Sequence, residues 1–275
     1  MTDPISLLIY SLFAVFALWE LLRPARSFPR RPWWHLRGLL FFVYAMYLGG
    51  VVPLIWDGWL SEHSLIDARG LGHVGGAVVG LLVLQLVLYV WHRSVHEFDF
   101  LWRWSHQMHH SAERVDLFGA FLFHPMDIVG LSLVSSVSLV WILGLTVPAA
   151  IGAMVFTMFM TIFQHSNIRT PHWLGYLVQR PEAHCIHHER GVHAYNYADL
   201  PVVDMIFGTF RNPRTFEGEV GFYQGASARL LPMLFGRDVG TAPEDLAAEV
   251  AEGRSVQGGN QPVAASSGGS SSSAA

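Results

Sequence analysis

Eight histidines fall into three short clusters that lie beside long apolar runs. Histidines recur within each cluster at spacings of three and four residues, and residues with those spacings share one face of a helix. Each cluster can therefore direct two or three imidazoles at one point. Neutral imidazole binds Fe, Zn, Cu or Ni, and eight rings are too many for one ion, so the pattern predicts a two-metal centre. The eight residues are His92, His96, His106, His109, His110, His184, His187 and His188.

Three further histidines are candidates for the same centre. His165 follows the end of an apolar run and is predicted as a ninth ligand. His124 and His193 are candidates for a ligand or for a group that supports one. Carboxylates near the clusters could orient imidazoles through their second ring nitrogen, although a solvated surface position is the default expectation for each. They are Asp99, Glu113, Asp127, Glu182, Glu189 and Asp199. Beyond the metal ligands, no catalytic residue is predicted.

The composition predicts a membrane protein. Hydrophobic residues make up 52% of the 275-residue chain and charged residues only 14%, whereas a soluble domain has about 25% charged residues. The net charge of −4 gives no support for nucleic-acid binding. Because Cys185 is the single cysteine, an internal disulfide and an iron–sulfur cluster held by several thiolates are both excluded.

The apolar runs predict an all-α membrane protein with a bundle of four to five transmembrane helices and a cytoplasmic His-rich helical cap. A membrane helix needs about 20 mostly apolar residues. Residues 5–22, 39–56 and 74–91 are candidates, and 128–163 is long enough for a hairpin divided at Thr146-Val147-Pro148. Residues 1–240 are expected to form the membrane-embedded domain, followed by an acidic short helix and a disordered Gly/Ser/Ala tail within 241–275. Because Asp3 replaces the usual positive start, no cleavable signal is expected.

Arginine distribution predicts the orientation of the bundle. The first loop holds five arginines, whereas the loop from Asp57 to His73 holds only Arg69. The positive-inside rule places the first loop, and with it all three clusters, in the cytoplasm. A continuous helix would separate His92 from His106 by roughly 21 Å, so the chain must turn between them, and Phe98-Asp99-Phe100 is the expected place. The five arginines are Arg23, Arg26, Arg30, Arg31 and Arg37.

The clusters and their flanks resemble the fatty acid hydroxylase superfamily, which includes the sterol desaturases. The resemblance rests on His-x-x-x-His followed by two His-x-x-His-His motifs, and it covers roughly residues 75–215. Matching flanks include Tyr89-Val-Trp-His92-Arg93, Gln164-His165-Ser166-Asn167 and Phe207-Gly208-Thr209-Phe210. The chain departs from the family pattern at Gln85, where an Asp often precedes the first cluster.

The resemblance implies a non-haem di-iron centre held by the eight clustered histidines and His165, with zinc able to replace iron in a purified sample. It also implies O2-dependent hydroxylation or desaturation of a lipid of sterol, fatty acyl or carotenoid type. Electrons would come from a separate donor, a ferredoxin or a cytochrome b5 with its reductase, because one cysteine cannot build a ferredoxin cluster within this chain.

Two other functions remain open at this point. One is a haem-binding membrane electron carrier that uses the 14-residue spacing of His92 and His106. The other is a zinc-dependent membrane hydrolase, although no histidine motif contains an obvious glutamate base. Five aromatic residues could line the access path of an apolar substrate or simply anchor the protein at the membrane interface. They are Trp102, Trp104, Phe118, Phe121 and Phe123.

Overall fold

The computed structural model describes residues 3–245, and the regular secondary structure in this part is all helical, without a β-strand. The long helices are α1 (Pro4–Leu22), α2 (Trp34–Val51), α4 (Gly72–Glu97), α7 (Pro125–Ser135) and α8 (Val147–His165). The short helices are α3 (Asp57–Glu62), α5 (Asp99–Leu101), α6 (Gln107–His110), α9 (Pro181–His187), α10 (Pro201–Phe207) and α11 (Leu230–Leu234). 3-10 helices cover Val52–Ile55, Ala68–Leu71, His172–Tyr176 and Ala226–Ala228, and π-helices cover Trp102–His106 and Ser136–Ile142.

Within residues 3–245, five helices are long and apolar enough to cross a membrane, which confirms the predicted multi-pass bundle. They span Pro4–Leu22, Trp34–Ile55, Ala68–Glu97, Pro125–Ile142 and Val147–His165. The third helix extends six residues beyond each end of the predicted range. Hydropathy marks only the apolar part of a helix, whereas backbone hydrogen bonding continues into the polar residues that carry His92 and His96.

The predicted hairpin is confirmed as two helices separated by a short turn. Pro148 lies in the first turn of α8, where the missing N–H of proline costs no helical hydrogen bond. The turn contains Gly144 at φ +52°, and a Cβ there would lie 2.5 Å from the carbonyl oxygen of Ile66. Both the backbone angle and the close contact therefore require glycine at this position.

Small residues let α4 and α8 pack closely against each other. A Cβ added to Gly76 would lie 2.9 Å from the Cβ of Ala149, and one added to Gly80 would lie 2.7 Å from Leu145 Cδ1. Gly76 and Gly80, like Ala149 and Ala153, are four residues apart, which is the spacing that allows close approach of membrane helices. The carboxyl ends of α4 and α8 therefore lie together, and these ends carry the first cluster and His165.

The predicted turn after the first cluster is also confirmed. Helix α4 ends at Glu97, and Phe98 adopts an extended conformation with φ −101° and ψ 110°. The chain then folds back through the π-helix Trp102–His106 into α6, which carries the second cluster. All three clusters consequently lie at the same end of the bundle.

A buried carboxylate at the end of α1 fixes two loops of this cap. Glu20 is 5% exposed and accepts hydrogen bonds from the backbone N–H groups of Leu117 and Asn167, each at 3.0 Å. One loop follows the second cluster and the other follows His165. The predicted tail and most of the predicted acidic helix lie outside the described residues.

Candidate metal centre

All nine predicted ligands converge into two neighbouring groups of imidazoles. In each group, one nitrogen from every ring lies within 4.8 Å of the others. We call the larger set group A and the smaller set group B. Group A contains His92, His96, His106, His110 and His187, and group B contains His109, His165, His184 and His188.

The two groups share the second and third clusters in a regular way. The first and last histidines of the second cluster, His106 and His110, lie in group A, while His109 lies in group B. In the third cluster the assignment is reversed, because His184 and His188 lie in group B and His187 lies in group A. The groups are in direct contact, since the rings of His110 and His188 stack with centroids 4.1 Å apart.

Backbone carbonyls and one carboxylate determine which nitrogen carries the proton in four of the rings. The Nδ1 atoms of His92, His187 and His165 lie 2.8, 2.7 and 2.8 Å from the carbonyl oxygens of Tyr197, Tyr195 and Thr161. Nδ1 of His106 lies 2.9 Å from Oδ2 of Asp127. Because these oxygens only accept, each Nδ1 donates, and in the neutral ring Nε2 keeps a free lone pair.

Nε2 lone pairs of neighbouring rings face each other at a distance that suits a bound cation. Nε2 of His92 lies 3.0 Å from Nε2 of His106, and neither carries a proton in the neutral state. Nitrogens on a tetrahedral ion with metal–nitrogen bonds of about 2.0–2.1 Å lie about 3.4 Å apart. A proton shared between two rings would remove the repulsion between one pair of nitrogen lone pairs, whereas a metal ion would accept lone pairs from all the rings of the group. The described residues could therefore hold metal ions in both groups.

His184 has the opposite arrangement. The side-chain amide nitrogen of Gln179 donates to the carbonyl oxygen of Asn196 at 2.8 Å and to Nδ1 of His184 at 3.0 Å. The neutral ring of His184 therefore carries its proton on Nε2, which lies 2.9 Å from Nε2 of His165. Metal binding at this nitrogen requires loss of that proton or rotation of the amide.

The cap histidines that lie outside the membrane-spanning helices are deeply buried. Burial is the largest cause that holds the pKa of their imidazoles well below its usual range, and neighbouring imidazoles lower it further. Their lone pairs therefore stay available below the pH at which a free imidazole is protonated. These residues are His109, His110, His184, His187 and His188.

A strained loop supplies two of the carbonyl acceptors. His193, Tyr195 and Asn196 have positive φ values of 41°, 70° and 52°, which non-glycine residues rarely adopt. The side chain of Asn196 anchors this loop by donating to Ala183 O at 3.0 Å and accepting from the backbone of Arg211 at 2.8 Å. Strain of this kind persists where surrounding contacts impose it, often at functional sites.

His193 and His124 differ in their relation to the two groups. Nδ1 of His193 lies 3.0 Å from Nδ1 of His110, so His193 contacts a candidate ligand without joining either group. His124 instead caps α7, because its Nδ1 accepts the backbone N–H of Met126 at 3.0 Å. Its Nε2 faces the carbonyl oxygen of Leu234 at 3.4 Å.

The expectation of solvated carboxylates is wrong for four of the six candidates. Glu113, Asp127, Glu182 and Asp199 are at most 4% exposed, and each is held by hydrogen bonds from separate segments. Of the six carboxylates, Asp127 is the one that forms a hydrogen bond with a candidate metal ligand, His106, within the described chain. Asp99 is paired with Arg103 at the surface, as expected.

Buried amides connect the membrane helices to the cap, and the sequence patterns did not indicate them. Gln85 on α4 donates to Asp199 at 2.8 Å, and Gln164 on α8 donates to the same carboxylate at 3.2 Å. Gln85 also accepts the backbone N–H of Asp199 at 2.8 Å. Burial raises the pKa of the Asp199 carboxyl to about 6, despite these donors. Gln85 therefore helps to hold the segment after Tyr197.

Three of the five aromatic candidates belong to the core. Trp102, Phe121 and Phe123 are buried, whereas Trp104 is 40% exposed and Phe118 is partly buried. Phe123 contacts the ring of His109, with centroids 4.9 Å apart. Cys185 is fully buried, as expected for a small apolar thiol, and burial raises its pKa to about 12.

The geometry disagrees with the haem-carrier interpretation. His92 lies on α4 and His106 lies on the π-helix beyond the turn, so they are not stacked along one helix. Their Nε2 atoms are 3.0 Å apart, which leaves no room for a porphyrin between them.

Comparison with known proteins agrees with these features. The fatty acid hydroxylase family model matches residues 77–209. This region includes all nine histidines of groups A and B, most of α4, and the whole of the other helices that carry these histidines. Residues 77–209 of the chain therefore form a fatty acid hydroxylase domain.

Characterised relatives act on different lipids. The chain is 31% identical over 141 residues to an ornithine lipid hydroxylase of Rhizobium tropici, covering 50% of this chain and 42% of that protein. It is 26% identical over 165 residues to a Delta(7)-sterol-C5(6)-desaturase of Nicotiana tabacum, covering 58% and 59%. It is 29% identical over 140 residues to a very-long-chain aldehyde decarbonylase of Oryza sativa, covering 48% and 53%. The matches thus span about half the length of these relatives, and no solved structure matches the chain.

Proposed function

We propose that this protein is a membrane-bound di-iron oxygenase that hydroxylates or desaturates a lipid with O2 and external electrons. The observation that carries the proposal is the convergence of nine histidines from distant segments into two adjoining groups, in which eight of the rings are buried and His92 is partly buried. The comparisons support oxidation of a lipid, since the named relatives include a hydroxylase of ornithine lipid and a desaturase of a sterol.

The proposed ligands are the five histidines of group A for one iron ion and the four of group B for the other. Iron bound there would supply the activation of O2 and the oxidation of an unactivated C–H bond. The chain orients the rings through the acceptors at Nδ1, namely Tyr195, Tyr197, Thr161 and Asp127. Outer partners of this kind fix the ring tautomer and raise the basicity of the coordinating nitrogen.

The surroundings of group A favour an apolar substrate that approaches from the bilayer side. A groove of about 270 Å³ at the end of α4 is lined by the apolar side chains of Tyr89, Val90, Phe98 and Phe207, with Arg93, Ser94 and Glu97 completing its lining. Tyr89 contacts the ring of Tyr197, with centroids 5.8 Å apart, and Tyr197 contacts His92 at 5.6 Å. We therefore propose this groove as the access path for a lipid chain, with Tyr89 and then Tyr197 lying between the groove and His92.

Orientation and partners are part of the same proposal. The excess of arginine in the loop between α1 and α2 supports a cytoplasmic position for the cap. Electrons would come from a separate ferredoxin or from cytochrome b5 with its reductase. Residues 1–240 would form the membrane-embedded domain that contains both groups.

Lipid mass spectrometry tests the function. The chain is expressed in a lipid-producing host, and total lipids are compared with those of cells that express the His187→Asn variant. We expect one lipid class to gain an oxygen atom or to lose two hydrogen atoms with the wild-type chain alone. His63→Gln is the matched control, because His63 lies near the opposite end of the bundle and stacks on Trp59.

Two further measurements separate the competing functions. Purified protein should contain iron without a haem absorption band, and lipid loss should consume O2 only when an electron donor is added. Equal lipid profiles for wild type and His187→Asn in the presence of a working donor would contradict the proposal. Turnover that continues without O2 would instead support hydrolysis.

A further inference from the structure

A second cavity lies on the cap, apart from the two histidine groups. It has a volume of about 770 Å³, is open on one side, and is lined mainly by three separate segments, with Glu113, Glu182 and Arg190 completing it. The three segments are the loop between α1 and α2, the residues just after α8, and the stretch from Arg214 to Gln224. Its lining does not include any histidine of groups A or B.

Arg26 is held so that its side chain lines this cavity. Asn167 clamps the backbone on both sides, because it accepts the N–H of Arg26 at 3.0 Å and donates to its carbonyl at 2.8 Å. Within residues 3–245, the buried Nε and Nη2 atoms of Arg26 have no hydrogen-bond partner. Nη2 of Arg31, which also lines the cavity, is in the same situation.

Unpaired positive charge dominates the cavity. Five arginines and four glutamates line it, three of the glutamates are already occupied, and the fourth, Glu217, is exposed at the rim. Glu113 accepts from Ser227 and faces Arg31, while Glu182 accepts from Thr170 and pairs with Arg180. Glu219 pairs with Arg190 at the rim. The lining arginines without an ion pair in the described chain are Arg26, Arg169 and Arg214.

The cavity lies close to the depth expected for lipid headgroups. Arg26 comes four residues after the end of α1 at Leu22, and Arg169 comes four residues after the end of α8 at His165. Both helices are candidate membrane spans. Residues just beyond such ends lie in the polar interface of the bilayer.

We propose that this cavity is a binding site for a phosphate-type anion, supplied by a lipid headgroup or by a soluble phosphate compound. Arg26 is partly buried, and burying its Nε and Nη2 without an acceptor is costly; a phosphate oxygen offers the acceptors that the planar fork matches. The space and the separate segments that line it suit a small anionic group. The site needs no metal ion, so its test is independent of the oxidation chemistry.

Binding measurements on the full chain in a neutral detergent test this proposal. The probes are inorganic phosphate, followed by calorimetry, and phosphatidic acid in mixed micelles, followed by native mass spectrometry with phosphatidylcholine as the reference lipid. Arg26→Gln should weaken saturable binding by about tenfold or more, because hydrogen bonds to charged groups contribute strongly. Arg23→Gln is the matched control, since Arg23 is an exposed arginine of the same loop that does not line the cavity.

Each outcome decides between the sources or overturns the site. Competition between the two probes supports a shared phosphate site, while Arg26-dependent binding of phosphatidic acid alone assigns the site to a headgroup. Binding of phosphate alone assigns it to a soluble compound. Absence of saturable binding for both probes, or wild-type binding by Arg26→Gln, would overturn the proposal. If Arg26→Gln fails to fold, Arg214→Gln at the rim serves instead, and unchanged binding in that variant has the same consequence.

Discussion

Asp127 offers the sharpest test of the metal-centre proposal. Its carboxylate is fully buried, and Oδ2 accepts from Nδ1 of His106 at 2.9 Å. Oδ1 has no hydrogen-bond partner within the described residues. In Asp127→Asn, the amide oxygen is a weaker acceptor than the carboxylate for Nδ1 of His106. The amide NH2 takes the place of Oδ1, where it is buried without an acceptor. Both effects disfavour the proton position that leaves Nε2 of His106 free.

The expected loss follows from the role of such partners. Removal of a carboxylate that supports a metal-bound histidine lowers metal affinity by about 10- to 100-fold, which corresponds to about 1.4 to 2.7 kcal/mol. Because His106 belongs to group A, the ion of group A should leave at a lower chelator concentration while the ion of group B stays. The measurement is metal content per chain after graded chelation, for protein purified in detergent.

The control and the opposing result are equally specific. Asp67→Asn removes an exposed carboxylate that pairs with Arg69 outside both groups, and it should retain metal as the wild type does. If Asp127→Asn remains folded and both ions leave at the wild-type chelator concentration, the role assigned to Asp127 is wrong.

Three further predictions concern pH, packing and orientation. The melting temperature of the metal-free protein in detergent should fall as the pH is lowered from about 7.5 to 5.5. Imidazoles of the unfolded chain gain protons near pH 6.5, whereas the buried imidazoles outside the spans, whose pKa is lowered, do not, so protonation favours the unfolded state. A melting temperature that does not change with pH would contradict this. Gly80→Leu should destabilise the bundle by about 1–3 kcal/mol or more through overpacking against α8. Gly75→Leu is the control and should be tolerated, since a Cβ there meets only a side-chain atom of Leu71 at 3.6 Å. Thermal unfolding, monitored by circular dichroism, measures both variants. In intact cells, a membrane-impermeant thiol reagent should label Ser61→Cys but not Ser27→Cys, with Cys185 silent because it is buried; the reverse labelling would place the cap outside.

The membrane helices could be predicted because each depends on local information, and the convergence of the clusters could be predicted because the order of the spans places all three on one side of the membrane. Twenty apolar residues form a helix in a bilayer whatever their partners, since backbone groups must be satisfied internally. The turn at Phe98 followed from a length argument, because His92 and His106 cannot meet along one continuous helix. The helix ends were less well predicted, since polar residues such as His96 continue α4 beyond its apolar part.

The groups that orient the ligands could not be predicted, because most of them are backbone atoms or distant polar side chains. The carbonyl oxygens of Tyr195 and Tyr197 acquire their roles from a loop with positive φ, and carbonyls leave no mark in a sequence. Gln85 lies in an apolar run, yet it holds Asp199, which is 114 positions away in the chain. Burial of the acidic residues was missed for the same reason, since their donors come from segments far apart in sequence.

The doubled histidines have a geometric explanation that the spacing already contains. Viewed down a helix, the side chain at i+4 points about 40° to one side of the side chain at i. The side chain at i+3 points about 60° to the opposite side. In His106–His110 the outer pair therefore points into group A and His109 turns toward group B. In His184–His188 the same rule sends the outer pair to group B and His187 to group A. Each His-His pair thus contributes one ring to each group. Two copies of one motif, used in opposite senses, therefore supply three rings to each group, and the ends of α4 and α8 add His92 and His96 to group A and His165 to group B.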